Sequence, residues 1–121
     1  MFEIVYKEVR NKMPDVQVSF EQSPEIEAMH EESPRIFCGS LPGQIYYCKD
    51  FADLPVMNQF GIMWHEFGHQ IHYILKDEDH PILLQLPNDD ELIADYLIEM
   101  MFNKRIFYSG DNKLQYVMEA T

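Results

Sequence analysis

Basic residues are scarce in this chain, and their scarcity argues against two classes of partner. Nine Lys and Arg residues stand against 21 Asp and Glu residues, which gives a formal net charge of −12 at pH 7. Nucleic acids and anionic membranes are bound through basic surfaces. We therefore expect neither nucleic acid nor a membrane as a partner, whereas a protein or peptide partner is compatible with this charge.

The sequence has no long apolar run, and we expect no secretory leader. No stretch of the sequence approaches the ~18 uninterrupted apolar residues of a membrane span. Residues 1–8 lack the basic segment and following apolar run of a secretory signal. These absences predict a cytoplasmic protein.

Cysteine occurs only as Cys38 and Cys48. Neither residue belongs to a Cys-x-x-Cys pair, which is the spacing typical of structural zinc sites. Because the cytosol keeps thiols reduced, we expect two free cysteines rather than a disulfide.

The overall amino-acid composition is that of a folded protein. Hydrophobic residues make up 46% of the 121 residues and aromatic residues 13%, which argues against disorder. The length fits a single domain over residues 1–121, and no internal repeat is visible.

Hydrophobic spacing in the first half predicts a helix and three strands. Residues 2–12 have the spacing of an amphipathic helix, and the alternation over residues 16–20 is typical of a half-buried strand. Residues 35–38 and 44–48 are rich in β-formers and flank the turn-like run 39–43, which predicts an antiparallel hairpin.

The second half is predicted to be helical. One helix is expected over roughly residues 55–75, and a second runs from about residue 88 to Arg105. Apolar spacing over residues 114–118 indicates a short final helix, whereas residues 23–34 fit either a short helix or a loop. The expected fold is α+β: a small mixed or antiparallel three-stranded sheet packed on the two long helices, with helices at both termini.

His65, Glu66 and His69 form the most informative pattern, within the run His-Glu-Phe-Gly-His. Histidines four residues apart share a helix face, so both ring nitrogens can reach one metal ion at roughly 2.0–2.1 Å. Glu66 lies about 100° around the helix, where it can deprotonate a metal-activated water without being a ligand. The pattern therefore indicates a zinc ion beside a general base.

A buried helix with polar groups facing a solvated cleft is the alternative explanation. On a helical wheel the histidine face also carries Gly61, Gly68 and His72. The glycines lower helix propensity but leave room for another backbone or a ligand to come close. The rarity of the His-Glu-x-x-His motif favours the metal site over this alternative.

The third protein ligand has several candidates. His72 lies on the same face, but about 10 Å along the axis from His65. The acidic residues and His80 in the loop 77–80 are too near in sequence to fold back over the motif. Glu91 lies 22 residues after His69, and with Asn88 as N-cap it would instead close a capping box.

Glu91 is followed four residues later by Asp95. A His-Glu-x-x-His helix with Glu-x-x-x-Asp on a second helix resembles the gluzincins, the thermolysin-like class of zinc peptidases. The motif and the run Gly43-Gln44-Ile45-Tyr46 are also similar to the small ImmA/IrrE-like peptidases. A capping box needs no aspartate on the same face four residues on, so Asp95 favours the ligand interpretation.

The resemblance implies one zinc ion per chain, held by His65, His69 and Glu91, with Asp95 accepting a hydrogen bond from a ligand histidine. It implies a zinc peptidase that hydrolyses peptide bonds of an intracellular protein or peptide, with Glu66 as general base. An oxyanion donor is also required. The candidates for this donor are His72, His80, Tyr96, Tyr108 and Tyr116.

The resemblance also implies that an edge strand, expected over residues 35–40, pairs with the substrate backbone. A non-catalytic zinc domain acting as a protein-interaction module is one alternative, although a closed structural site needs no base such as Glu66. A self-inhibited domain, with a segment such as residues 23–32 across its own cleft, is another. The sequence gives no prediction of the oligomeric state.

Overall fold

The computed structural model describes residues 2–109 and 114–119 and confirms an α+β fold. The helices are α1 (Phe2–Asn11), α2 (Pro24–Glu32), α3 (Val56–Asp77) and α4 (Asp90–Phe102). The strands are β1 (Ser19–Gln22), β2 (Cys38–Leu41), β3 (Gln44–Tyr47), β4 (Lys104–Ser109) and β5 (Leu114–Glu119). Short 3-10 helices cover Lys49–Asp53 and Pro81–Gln85. Within the described ranges, no helix is long and apolar enough to cross a bilayer.

The three-stranded sheet is mixed, with the strand order β1-β3-β2. Strand β1 runs parallel to β3, and β2 runs antiparallel to it. The predicted hairpin is confirmed, but its first strand is shifted. Residues 35–37 were expected in this strand and lie before β2, whereas Gly39, Ser40 and Leu41 were expected in the turn and belong to β2. An added Cβ at Gly39 would meet only the movable tip of the Ile26 side chain of α2, at 2.8 Å. The turn itself is shortened to Pro42 and Gly43, and Gly43 has a φ of +79°.

The N-terminal half follows the predicted order with shifted boundaries. Strand β1 begins at Ser19 rather than near Val16, because the backbone before it is engaged elsewhere: Val16 N donates to Met13 O at 3.0 Å. The segment left open between helix and loop is the helix α2, which Ser23 caps. Helices α1, α3 and α4 and both sheets share one hydrophobic core, in which α3 is the central helix.

The predicted C-terminal helix is wrong. Residues 114–119 form β5, which pairs antiparallel with β4 so that Ile106 faces Val117. Helix α4 accordingly ends at Phe102 rather than near Arg105, because Asn103 adopts a left-handed conformation with a φ of 56°. The apolar spacing near the C-terminus is short enough to fit either period, and pairing with β4 decides for the strand.

Candidate metal centre

Helix α3 places His65, Glu66 and His69 in one group. Their ligand atoms all lie within 4.8 Å of one another, and His65 and Glu66 are buried. Imidazole and carboxylate are the ligand types that zinc uses in catalytic sites. The group could therefore hold a metal ion.

Helix α4 brings Glu91 to the two histidines. His65 Nε2 lies 2.7 Å from Glu91 Oε2 and 3.0 Å from His69 Nε2, and His69 Nε2 lies 3.4 Å from Glu91 Oε1. In a tetrahedral site with bonds of 2.0–2.1 Å, ligand atoms stand about 3.3 Å apart. The three separations are close to that value, with one oxygen of Glu91 facing each histidine.

The capping-box alternative for Glu91 is not what the structure shows. The N-cap of α4 is Asp89 rather than Asn88, and Asp89 Oδ1 accepts hydrogen bonds from the backbone N–H groups of Glu91 and Leu92. Glu91 is thus the second helical residue. Its side chain is directed to the histidines rather than back to the cap.

Close helix packing makes this approach possible. An added Cβ at Gly68 would lie 2.4 Å from the carbonyl oxygen of Ala94. Only a glycine lets the two helices approach so closely at this point. The glycine expected to leave room for another backbone therefore brings α4, and with it Glu91, against α3.

Asp95 holds His65 from the side away from Glu91. Asp95 Oδ1 lies 2.6 Å from His65 Nδ1, and the hydroxyl of Tyr108 donates to Asp95 Oδ2 at 2.6 Å. Burial disfavours a charged His65, but its hydrogen bonds with Asp95 and Glu91 outweigh that effect and raise its pKa from 6.5 to about 10. The hydrogen bonds from His65 and His69 in turn hold the pKa of Glu91 well below its ordinary value.

The carboxylate of Glu66 is held by Ser40 on the strand β2. Ser40 Oγ donates to Glu66 Oε1 at 2.7 Å, and Tyr73 OH donates to the carbonyl of Ser40 at 2.9 Å. Gln70 lies between Glu66 and Tyr73 on α3. Its Oε1 accepts a hydrogen bond from the backbone N–H of Gly43, in the β2–β3 turn, at 2.8 Å. The face of α3 formed by Glu66, Gln70 and Tyr73 therefore fixes the hairpin against the base.

Sequence reasoning missed Ser40, Gln70 and Tyr73 as parts of the site. Gln70 Nε2 also donates to Leu41 O at 2.9 Å. The available signal was the spacing of Glu66, Gln70 and Tyr73, which places them on one helix face. Nothing in the sequence identifies the hairpin as their partner.

The residues proposed as oxyanion donors are dispersed. Tyr108 lies in the cluster, but its hydroxyl is bonded to Asp95; burial and that bond raise its pKa. His80 accepts a hydrogen bond from Ile82 N at the start of a 3-10 helix. His72 is buried, which lowers its pKa. Tyr96 is exposed on α4, and the ring of Tyr116 stacks on Phe107.

The segment expected to cover the cleft in a self-inhibited form lies elsewhere. In β2, Ser40 points toward Glu66, whereas the neighbouring Gly39 points toward Ile26 of α2. Because side chains alternate along a strand, α2 packs on the sheet face opposite Glu66. The structure therefore does not place residues 23–32 across the metal centre.

The two cysteines are free, as expected. Burial raises the pKa of the Cys38 thiol well above its ordinary value, with further contributions from Glu66 and Cys48. Cys38 is therefore a protonated neighbour of the base rather than a thiolate ligand.

Comparisons with protein-family models, with curated proteins and with solved structures found no match to this chain. The resemblance to the gluzincins accordingly depends on the sequence motifs alone.

Proposed function

We propose that the chain is a zinc-dependent peptidase with one zinc ion held by His65, His69 and Glu91. The observation that carries the proposal is the convergence of Glu91, from a second helix, on both histidines within 2.7–3.4 Å. Two imidazoles and one carboxylate are the ligand set of several catalytic zinc sites, which keep a fourth position open. Bound zinc would acidify a coordinated water and polarise the scissile carbonyl.

Glu66 and Glu91 have different roles in this proposal, although both lie beside the histidines. Glu91 is bonded to His65 Nε2, the nitrogen opposite the Asp95 contact, which makes it the ligand. Ser40 Oγ donates to Glu66 Oε1 and holds this carboxylate. Glu66 can therefore take a proton from the attacking water and deliver it to the leaving amine.

The position of β2 at the edge of the three-stranded sheet supports a peptide as the substrate. Cys48 N donates to Phe37 O at 3.0 Å, so by antiparallel alternation the N–H and C=O groups of Cys38 and Ser40 face away from β3. A peptide that adds to this edge as a strand would lie beside Glu66, because Ser40 contacts that carboxylate. The Ser40 carbonyl already accepts from Tyr73, but its second lone pair can take a peptide N–H.

A mixture of unrelated peptides, analysed by mass spectrometry after incubation with the zinc-loaded protein, tests the proposal. We expect cleavage that a chelator abolishes and that zinc restores. The Glu66→Gln variant should still bind one zinc per chain and should not cleave, because the ligands remain while the base is lost. Glu78→Gln, the same change at the end of α3, is the matched control and should cleave normally.

Two other results of this experiment would count against the proposal. Cleavage by Glu66→Gln at near the wild-type rate would contradict the role of Glu66. Zinc binding without cleavage by the wild-type protein would favour the alternative of a non-catalytic or self-inhibited domain that acts as a protein-interaction module.

A further inference from the structure

Tyr108 stands at the end of a row of short contacts that leads to the proposed metal. Its hydroxyl donates to Asp95 Oδ2 at 2.6 Å, and Asp95 Oδ1 lies 2.6 Å from His65 Nδ1. The opposite nitrogen of the same ring, His65 Nε2, faces Glu91 at 2.7 Å. The row therefore connects the strand β4 with a ligand nitrogen through Asp95.

Both oxygens of Asp95 are engaged, which restricts how this carboxylate can turn. The terminal torsion of an aspartate is soft, so one hydrogen bond alone leaves the plane of the carboxylate poorly fixed. The Asp95 side chain is 15% exposed and Tyr108 is 46% exposed, so Tyr108 lies on the solvent side of the carboxylate. With Tyr108 in place, Asp95 Oδ1 is held toward His65, which keeps the proton on Nδ1 and directs Nε2 to the metal.

The C-terminal hairpin, formed by β4 and β5, packs closely against α3. An added Cβ at Gly61 would lie 2.4 Å from Tyr116 Cα, so the β5 backbone lies directly on the helix. Asn58 Nδ2 also donates to Gln115 O at 3.0 Å. Packing against α3 therefore sets the position from which β4 presents Tyr108.

From these contacts we propose that Tyr108 is a positioning residue of the metal centre, which acts through Asp95 to orient His65. The inference rests on the proposed zinc site and extends it, because it makes the C-terminal hairpin a part of that site. The hydroxyl of Tyr108 serves Asp95 rather than the oxyanion.

Zinc affinity, measured by competition with a chromophoric chelator, tests the inference without any substrate. Changes to residues that hold metal ligands typically cost 10–100-fold in affinity, and Tyr108 is one contact further from the metal. We therefore expect Tyr108→Phe to weaken zinc binding roughly tenfold, the lower end of that range. Tyr96→Phe removes a hydroxyl from the exposed neighbour of Asp95 and should leave the affinity unchanged.

A double-mutant cycle with Asp95→Asn separates positioning from general destabilisation. If Tyr108 acts through the Asp95 carboxylate, its replacement should have little further effect once Asp95 is Asn. Additive losses in the double variant, or wild-type affinity in Tyr108→Phe, would overturn the inference.

A metal-free measurement keeps this inference distinct from the proposed function. In the proton NMR spectrum, Tyr108→Phe should shift the His65 ring N–H signal or speed its exchange, whereas Tyr96→Phe should not. An unchanged signal overturns the inference. A changed signal in a protein that binds no zinc supports the positioning row and contradicts the zinc proposal alone.

Discussion

Gly68 sets the distance between the two helices that carry the proposed ligands, so Gly68→Ala tests how closely they must pack. An added Cβ would lie 2.4 Å from Ala94 O, whereas ordinary contact begins at 3.4 Å. Restoring the Cβ–oxygen distance from 2.4 Å to 3.4 Å requires the helices to separate by about 1 Å, because Ala94 O is a backbone atom and cannot move aside like a flexible side chain.

The separation should affect zinc binding more than stability. Overpacking typically costs about 1–3 kcal/mol. The better helix propensity of alanine returns about 1 kcal/mol, which leaves a net loss of at most about 2 kcal/mol. Metal sites, however, tolerate deviations of only about ±0.2 Å in ligand distance. Moving Glu91 by about 1 Å should therefore weaken zinc binding by about 10–100-fold or more, because changing a residue that supports a metal ligand typically costs that much affinity.

Chelator competition gives the zinc affinity of this variant, and thermal unfolding of the metal-free protein gives its stability. Gly39→Ala is the matched control, since its Cβ would meet only the flexible tip of Ile26, 2.8 Å away, on the other face of the sheet. The control should bind zinc like the wild-type protein. Wild-type zinc affinity in Gly68→Ala would refute the reasoning that close helix packing positions Glu91.

Further predictions concern ligands, titration and thiols. In a zinc titration, Glu91→Ala should lose zinc affinity about as severely as His69→Ala. A larger loss of affinity in His72→Ala would show that Glu91 is not the third ligand. The His65 contribution to metal-free stability is complete below pH 6.5 and is lost as the pH rises through about 10; that of Glu91 is complete above pH 4.5 and is lost in acid. Denaturant unfolding should thus show maximal metal-free stability near pH 4.5–6.5, and a steady gain above this window would contradict the ion pair. Thiol titration of the denatured, unreduced protein should find both cysteines reactive; finding neither would show a disulfide.

The centre of the fold was predictable because its signals are local. The spacing of His65 and His69 places both on one face of α3 with Glu66 beside that face, and the spacing of Glu91 and Asp95 places them on one face of α4. Ser40 was not identified as a partner of Glu66 because that contact joins segments 26 residues apart, with no shared pattern. The C-terminal helix was wrong because pairing with β4, a long-range interaction, overrides a weak local period.

Anomalous scattering at the zinc edge from crystals grown with zinc tests the central claim most directly. The account predicts a single peak within about 2.0–2.2 Å of His65 Nε2, His69 Nε2 and a carboxylate oxygen of Glu91. Glu66 should approach the open side of the peak without coordinating it. The absence of a peak at this site, or a peak whose third protein ligand is Glu66 or His72, would contradict it.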